Sequence, residues 1–506
     1  MTDCKPKPML PDELPAAHAV IEDLHGQLEQ AHWQIKQLKQ ELFGPSSDKL
    51  QEPALSPEQN LLSLFPAPAE PPATEDVIRA ETSEPVKRPA RHPQPRIAET
   101  VIKRMEPAEK VCPHCGKDKC EIGCEKSERF EYIPAKIIRQ IIERPKFACA
   151  CGEAGVSIAP LPPAPIEKGR AGASLLAHLT MAKYEDHQPL DRQRKQLERL
   201  GLTVSRQTLC DWIEKVAFWL QPVVALMKAE LLAGDYLQVD ETLVKVIDPD
   251  VPGRCASGYL WVAGRPQSDV IFEFHPGRGK EFAQKLLGSF QGYLQRDGYG
   301  VYGSLTAQNQ GLISCACLAH ARRKFVEAQL ENPSEARWFV EQIRQLYLIE
   351  KHAREEGLSS EQRWNLRQQL APPIWSRIKE RLESWRDRLL LPQSPLYKAV
   401  RYMVNEWTAL QTYLQDGRLE IDNNLTENAI RPSAIGKKNF LFIGHPDAGW
   451  RSAVIYSIIV SCKRRGIDTW AYLKDLLTRL PSATQSQLHE FLPRNWKPAS
   501  AQTNAN

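Results

Sequence analysis

The sequence lacks the features that would place it in a membrane or outside the cell. Its longest apolar run, Ala453 to Cys462, is about half the ~20 residues a membrane helix needs and reads instead as a core helix. No apolar segment follows the first lysines, so no signal peptide is expected and the location is expected to be cytoplasmic, with no membrane partner. Net charge is only +4 over 506 residues, which excludes a uniformly basic chain; any nucleic-acid surface must be local. No Ser-His-Asp set or Gly-rich dinucleotide fingerprint stands out. Gly277-Arg-Gly-Lys280 lacks the upstream Gly and the following Ser/Thr of a phosphate loop, which argues against ATP binding. No internal repeat is present. Hydrophobic residues at 42% and charged residues at 25% are ordinary for globular chains, and the length predicts three or more domains. Twelve Cys in a reducing compartment point to metal binding or buried thiols rather than disulfides.

What the chain does have changes sharply along its length. Residues 18–45 space Ile21, Leu24, Leu28, Ala31, Ile35, Leu38 and Leu42 at helical intervals. That stripe predicts a leucine-zipper-like coiled coil and a homo-oligomer, the alternative being a helix docked on its own chain. Phe43-Gly44-Pro45 ends it. Residues 46–97, with ten Pro between 51 and 97, predict a disordered linker. Residues 98–160 combine a Cys cluster with alternating apolar residues and read as a small β-rich module. Residues 168–232 read as helices. In LGLTVSRQTLCDWIEKV, Gly201 makes a turn, Ser205 an N-cap, and Leu209, Trp212 and Ile213 an apolar face, like the turn and second helix of a helix-turn-helix. Arg192, Arg194, Lys195 and Arg199 precede that helix and Arg206 lies in it. DNA contact is expected there; a helical hairpin with a solvated basic face is the alternative.

From residue 235 the hydrophobic period becomes two. YLQVDETLVKVI, SGYLWVAG and SDVIFEFH predict three strands. A helix (Gly279 to Leu287), the strand GYLQRD, a short helix, the strand LISCACL and the helix His320 to Leu330 follow. The order βββαβαβα matches the ribonuclease H fold. Residues 235–332 and 416–465 are then two parts of one core, 333–415 a helical insertion, and 466–496 a C-terminal helical segment. The expected fold class is multidomain α+β: coiled-coil helix, zinc-binding β module, helix-turn-helix-like module, and ribonuclease H-like α/β domain with an insertion.

Three acids stand out in that frame. Asp240 (VDET) lies on the first, central strand, Asp297 (RDGYG) at the end of its neighbour, and Glu427 (LTENAIRP) at the start of a helix that must pack across both. Two carboxylates ~4 Å apart repel by roughly 4 kcal/mol at an effective dielectric near 20, so a cluster of them requires cations. Oxygen ligands favour Mg²⁺ or Mn²⁺, and a pair of such ions cuts and joins phosphodiester bonds. Asp248, Asp250, Glu420 and Asp422 compete for the same role. His320, Arg322 and Arg323 open a helix, where cations oppose the helix dipole, which favours a phosphate-facing role. Arg431, Lys437, Lys438, Arg451, Lys463, Arg464 and Arg465 make the stretch after Glu427 basic, as a DNA track beside the metals would be.

Cys112-Pro-His-Cys115-Gly has zinc-knuckle spacing. Its partner pair is Cys149-Ala-Cys151, 33 residues later. Four thiolates would close the shell of one structural Zn²⁺; Cys120, Cys124 and His114 are alternative ligands.

The pieces CPHCG, ERFEYIPAK, RPKFAC, KYEDHQPLDRQ, VDET, RDGYGVY, CLAHARRKF, IDNNLTENAIRP and FLPRNW, taken together, resemble the large transposase of the bacterial insertion-sequence family sixty-six, over nearly the whole chain. The resemblance implies a DDE transposase whose acids are Asp240, Asp297 and Glu427, acting on terminal inverted repeats and target DNA. It also implies two small accessory proteins of the same element. Two departures are C-x-C in place of the family's C-x-x-C, and Asn428 after Glu427 where the family has Arg. A nuclease without strand transfer and a non-catalytic DNA-binding derivative are the rival readings.

Overall fold

A computed structural model describes residues 136–148, 156–167, 169–250, 252–386 and 393–498. The expected N-terminal helix, the Pro-rich linker and the zinc candidates Cys112, Cys115, Cys149 and Cys151 lie outside these residues. Two short strands, β1 (Lys146–Ala148) and β2 (Val156–Ile158), pair antiparallel.

Helices α1 (Ala173–Tyr184), α2 (Leu190–Arg199) and α3 (Arg206–Leu232) follow. Gly201 makes the α2–α3 turn with φ +84°, a conformation that costs glycine little. Ser205 caps α3 by accepting from the Thr208 amide at 3.0 Å, as its position predicts. Where a short recognition-like helix is expected, α3 runs 27 residues. Its apolar stripe continues past Ile213 through Val216, Leu220, Val223, Met227 and Leu231, all buried, so the helix runs on into the core.

The central sheet has five strands in the order β5-β4-β3-β6-β7. In chain order these are β3 (Tyr236–Val246), β4 (Ala256–Gly264), β5 (Val270–His275), helix α4 (Lys280–Leu287), β6 (Gly292–Arg296), helix α5 (Gly300–Gln308) and β7 (Leu312–Ala316). Strands β3, β4 and β5 form an antiparallel meander, whereas β3–β6 and β6–β7 are parallel. Strand β3 is central. Its first half, Tyr236 to Val239, is buried throughout, and burial alternates only towards its end. The reason is register: β6 reaches only Tyr236–Gln238 of β3, whereas β4 pairs with Gln238–Val246 and Ile443 bridges the far end at Val246.

Helix α6 (Leu318–Ala328) leads into the expected helical insertion: α7 (Pro333–Glu355), α8 (Ser360–Arg386), α9 (Pro395–Asn405) and α10 (Trp407–Gln411). Its core joins the sheet's through Phe325 and Phe339, stacked at 4.3 Å between centroids. Helices α11 (Asn424–Phe440), α12 (Gly449–Arg464) and α13 (Thr469–Arg479) complete the described chain. The run Ala453–Cys462 is buried at every position of α12, as its composition predicts. Ser457 and Ser461 accept from the amides of Phe272 (2.8 Å) and Val270 (2.9 Å), so α12 closes the open edge of β5 that would otherwise invite pairing. Among the described residues no helix is long and apolar enough to cross a membrane.

Candidate active site

Strand register brings the first two acids together. Gln238 of β3 faces Gln295 of β6 in a parallel pair, and Asp240 and Asp297 each lie two residues further on, Asp240 in mid-strand just past the reach of β6 and Asp297 just beyond the end of β6. Asp240 accepts from the Glu241 amide at 2.8 Å, and Asp297 from the Tyr299 amide at 2.9 Å. The tight turn after Asp297 requires Gly298, because a Cβ there would sit 2.3 Å from the Tyr402 ring.

A buried polar ladder brings in the third acid. Gln238 and Gln295 are both fully buried, directly beneath the two aspartates. Gln238 Nε2 donates to Gln295 Oε1 at 2.8 Å, and Tyr236 donates to the same oxygen. Gln295 Nε2 donates to the Glu420 carbonyl at 2.8 Å. Thr426 donates to Gln238 Oε1 at 3.1 Å, and Asn423 Nδ2 to the Val239 carbonyl at 2.8 Å. These bonds stitch the first turn of α11, and with it Glu427, onto the strand that carries Asp240. Residues alternate in side along a strand, so Asp240 shares the α11 side with Gln238 and with Thr242, which contacts Lys437 of α11 at 3.1 Å.

The electrostatics register this convergence. Burial, then the charges of Glu241, Asp297 and Glu427, push the Asp240 carboxyl up to about 8. Glu427 Oε1 is buried without a hydrogen-bond partner, 3.6 Å from His320 Nδ1, and Arg323 lies 3.6 Å from the other oxygen. Burial lowers His320, against the pull of Glu427.

Sequence reasoning missed Glu241. Its side chain is 1% exposed and points to the opposite side of the sheet, where it accepts from Arg278 at 2.6 Å and Tyr302 at 2.7 Å. Arg278 also stacks 3.8 Å over Tyr299, whose hydroxyl donates to the Arg278 carbonyl at 2.7 Å. This frame braces the turn that carries Asp297. Arg296 braces it from the insertion: buried, it donates to the Asp297 carbonyl at 2.8 Å and pairs with Glu406 at 2.8 Å. The signals the sequence holds for this frame are an acid beside Asp240 and an arginine in Gly277-Arg-Gly-Lys280.

The competing acids have other partners. Asp422 accepts from Tyr347 (2.8 Å) and the Asn424 amide (3.0 Å). Glu420 pairs with Arg363 at 2.9 Å. Asp248 is half-buried and caps the Asp250 amide.

The basic candidates divide. Arg192, Arg206, Arg431 and Lys438 are exposed, Arg323 is exposed beside Glu427, and Arg322 is half-buried. Arg194 and Lys195 share Asp191 within α2, each at 3.3 Å. Lys437 donates to Thr242 and to the Leu243 carbonyl. The basic residues expected along α12 have partners within the chain. Arg451 pairs with Glu214, Lys463 with Glu185 and Arg465 with Asp269, and Arg464 donates to two carbonyls. Because α12 is a core helix, Arg451, Arg464 and Arg465 at its ends meet neighbouring elements, while Lys463 is paired but exposed.

Comparison with known proteins gives first the class. Residues 109–152 match the zinc-finger binding domain of transposase IS66, and residues 457–494 match the IS66 C-terminal element. The match that spans most of the chain gives the family: residues 168–451 match the transposase IS66 family, and the chain belongs to that family. Three uncharacterized proteins of Sinorhizobium fredii are similar to it. Protein y4jD is 35% identical over 410 residues, covering 78% of this chain and 79% of its own length. Protein y4qI is 32% identical over 435 residues, covering 81% and 79%. Protein y4hP is 30% identical over 505 residues, covering 93% and 89%.

Proposed function

We propose that the chain is a DDE transposase with a ribonuclease H-like core that cleaves DNA at the ends of its element and joins the freed 3′-hydroxyl to target DNA. The observation that supports this reading is that Asp240 in β3 and Asp297 after β6 each follow the paired residues Gln238 and Gln295 by two positions, with the Thr426–Gln238 bond tying the first turn of α11, which carries Glu427, to β3. The donor set fits hard divalent cations: burial, then the charges of Glu241, Asp297 and Glu427, raises the Asp240 carboxyl to about 8, and Glu427 Oε1 is buried without a hydrogen-bond partner. Asp240, Asp297 and Glu427 would hold two Mg²⁺ or Mn²⁺ ions. Bound there, such ions supply Lewis-acid stabilisation of the phosphoryl oxygens and a nucleophile ionised at neutral pH.

The protein's own part is positioning. The glutamine ladder keeps the three carboxylates in one place before DNA arrives, which removes reorganisation from the chemical step. Arg323, Arg431 and Lys438, exposed near or on α11, are placed to meet phosphates, as are Arg322 and His320; Arg192 and Arg206 would do so at the α2–α3 turn. One structural Zn²⁺ is assigned to Cys112, Cys115, Cys149 and Cys151, a donor set suited to that ion. A homo-oligomer through residues 18–45 would hold two element ends together, assisted by two small accessory proteins of the element.

The test is a Mg²⁺ reaction on DNA carrying the inverted repeats that flank the gene. Joined products are expected. Asp240→Ala, Asp297→Ala and Glu427→Ala should each lower cleavage by on the order of 10³-fold or more. Cleavage without joining would reduce the reading to a nuclease, and unchanged activity in the three variants would remove it.

A further inference from the structure

Glu427 belongs to a second group of donors, of different chemistry. Cys317 is the N-cap residue of α6, and His320 lies one turn on. The sulfur of Cys317, a ring nitrogen of His320 and a carboxylate oxygen of Glu427 all lie within 4.8 Å of one another. Ligand atoms around a four-coordinate zinc are roughly 3.3–3.8 Å apart, given bonds of about 2.0–2.3 Å. The His320 Nδ1–Glu427 Oε1 separation, 3.6 Å, is already in that range.

Two further features suit this group to a cation. His320 Nδ1 and Glu427 Oε1 are buried, face each other beyond hydrogen-bond distance, and have no other hydrogen-bond partner. Unpaired buried polar atoms are costly, and here two of them lie 3.6 Å apart. The sulfur is also fixed in place, since it accepts from the Asn423 amide at 3.2 Å.

We infer that Cys317, His320 and Glu427 form a site for a thiophilic divalent ion such as Zn²⁺, distinct from the carboxylate site but sharing Glu427 with it. Sulfur and imidazole select zinc-like ions, which bind such sets far better than Mg²⁺ does. Three protein ligands leave a fourth position open. An ion held there takes Glu427 away from Asp240 and Asp297. Zinc therefore competes with Mg²⁺ for one residue and switches DNA cleavage off. This inhibitory consequence rests on the function proposed above; the site itself does not.

Two readouts separate the claims. In protein isolated with its finger zinc, Co²⁺ titration should give a thiolate-to-cobalt charge-transfer band that is missing in Cys317→Ser. His320→Gln, at a part-exposed position, should weaken Co²⁺ binding at least about tenfold, and it carries the test if the serine variant fails to fold. Serine keeps an acceptor for the Asn423 amide, so Cys317→Ser should retain Mg²⁺-dependent cleavage while losing at least about tenfold of its inhibition by added Zn²⁺. An unchanged cobalt band in both variants, or equal zinc inhibition of wild type and Cys317→Ser, overturns the inference. A band lost in both variants with no Mg²⁺-dependent cleavage in any protein upholds the site and removes the transposase reading instead.

Discussion

Two clusters of buried charge lie on either side of the segment that leads into α11, and they are built on opposite rules. In the insertion, Glu350 (1% exposed) meets Arg367 (0%) at 2.7 Å and Arg363 at 2.5 Å. Arg367 spends its remaining donors on the carbonyls of Tyr413, Asp416 and Leu419. Burial works against the Glu350 carboxylate, yet the two arginines hold it below its ordinary range. At the sheet end, burial and neighbouring acids push Asp240 up to about 8. Compensated charge makes structure: the insertion network fixes the segment, residues 416–423, that leads into α11 and delivers Glu427. Uncompensated charge at the other end of that segment marks where a ligand must complete the site.

The sharpest way to break the comparison is to unbalance the balanced cluster. Glu350→Ala leaves Arg367 buried without its carboxylate and should cost about 3–5 kcal/mol, read as a lowered midpoint in urea unfolding. Next is the ladder between the clusters. Gln295→Leu removes the hold on the Glu420 carbonyl and on Gln238, and should cost about 1–3 kcal/mol. It should also slow DNA cleavage by on the order of 100-fold with DNA affinity unchanged in a gel-shift titration.

The unbalanced cluster should respond the other way. In metal-free protein Asp240→Asn should stabilise by ~1–3 kcal/mol at pH 7 while abolishing cleavage. The sign follows from the raised carboxyl. Below its ordinary value near 3.8 both folded and unfolded wild type are protonated, and the group costs nothing. As pH climbs to about 8, only the folded state still binds the proton, so wild-type stability falls and the Asn variant's advantage grows. Thermal melts at pH 4 and pH 8 should show a small difference and a large one. The smallest effect belongs to exposed pairs. Arg194→Ala, which loses the partners Asp191 and Glu198 on the surface of α2, should change stability by no more than about 0.5 kcal/mol.

Much of this arrangement is legible in the chain. Strand-like runs locate β3 to β7, and a polar stretch locates the start of α11, so Asp240 falls on a strand, Asp297 at a strand end and Glu427 at a helix start before any coordinates. What escapes is what depends on partners far away in sequence. Gln238 and Gln295 read as polar interruptions of strands, identical in pattern to solvent-facing residues; only pairing across 57 positions makes them a buried ladder. Arg451 and Arg465 read as a basic track because Glu214 and Asp269, which neutralise them, are 237 and 196 positions away. Helix α3 outruns the expected motif because the motif has length limits and the apolar stripe does not. Glu241 was hidden by its neighbour, since two adjacent acids on a strand face opposite sides and only one can join Asp297 and Glu427.

The most direct test of the central claim is calorimetric titration of Mn²⁺ into metal-free protein, compared among wild type, Asp240→Asn, Asp297→Asn and Glu427→Gln. Convergence of the three carboxylates predicts saturable binding in the wild type that each single substitution weakens by at least about tenfold. Mn²⁺ binding of equal strength in all four proteins would contradict it.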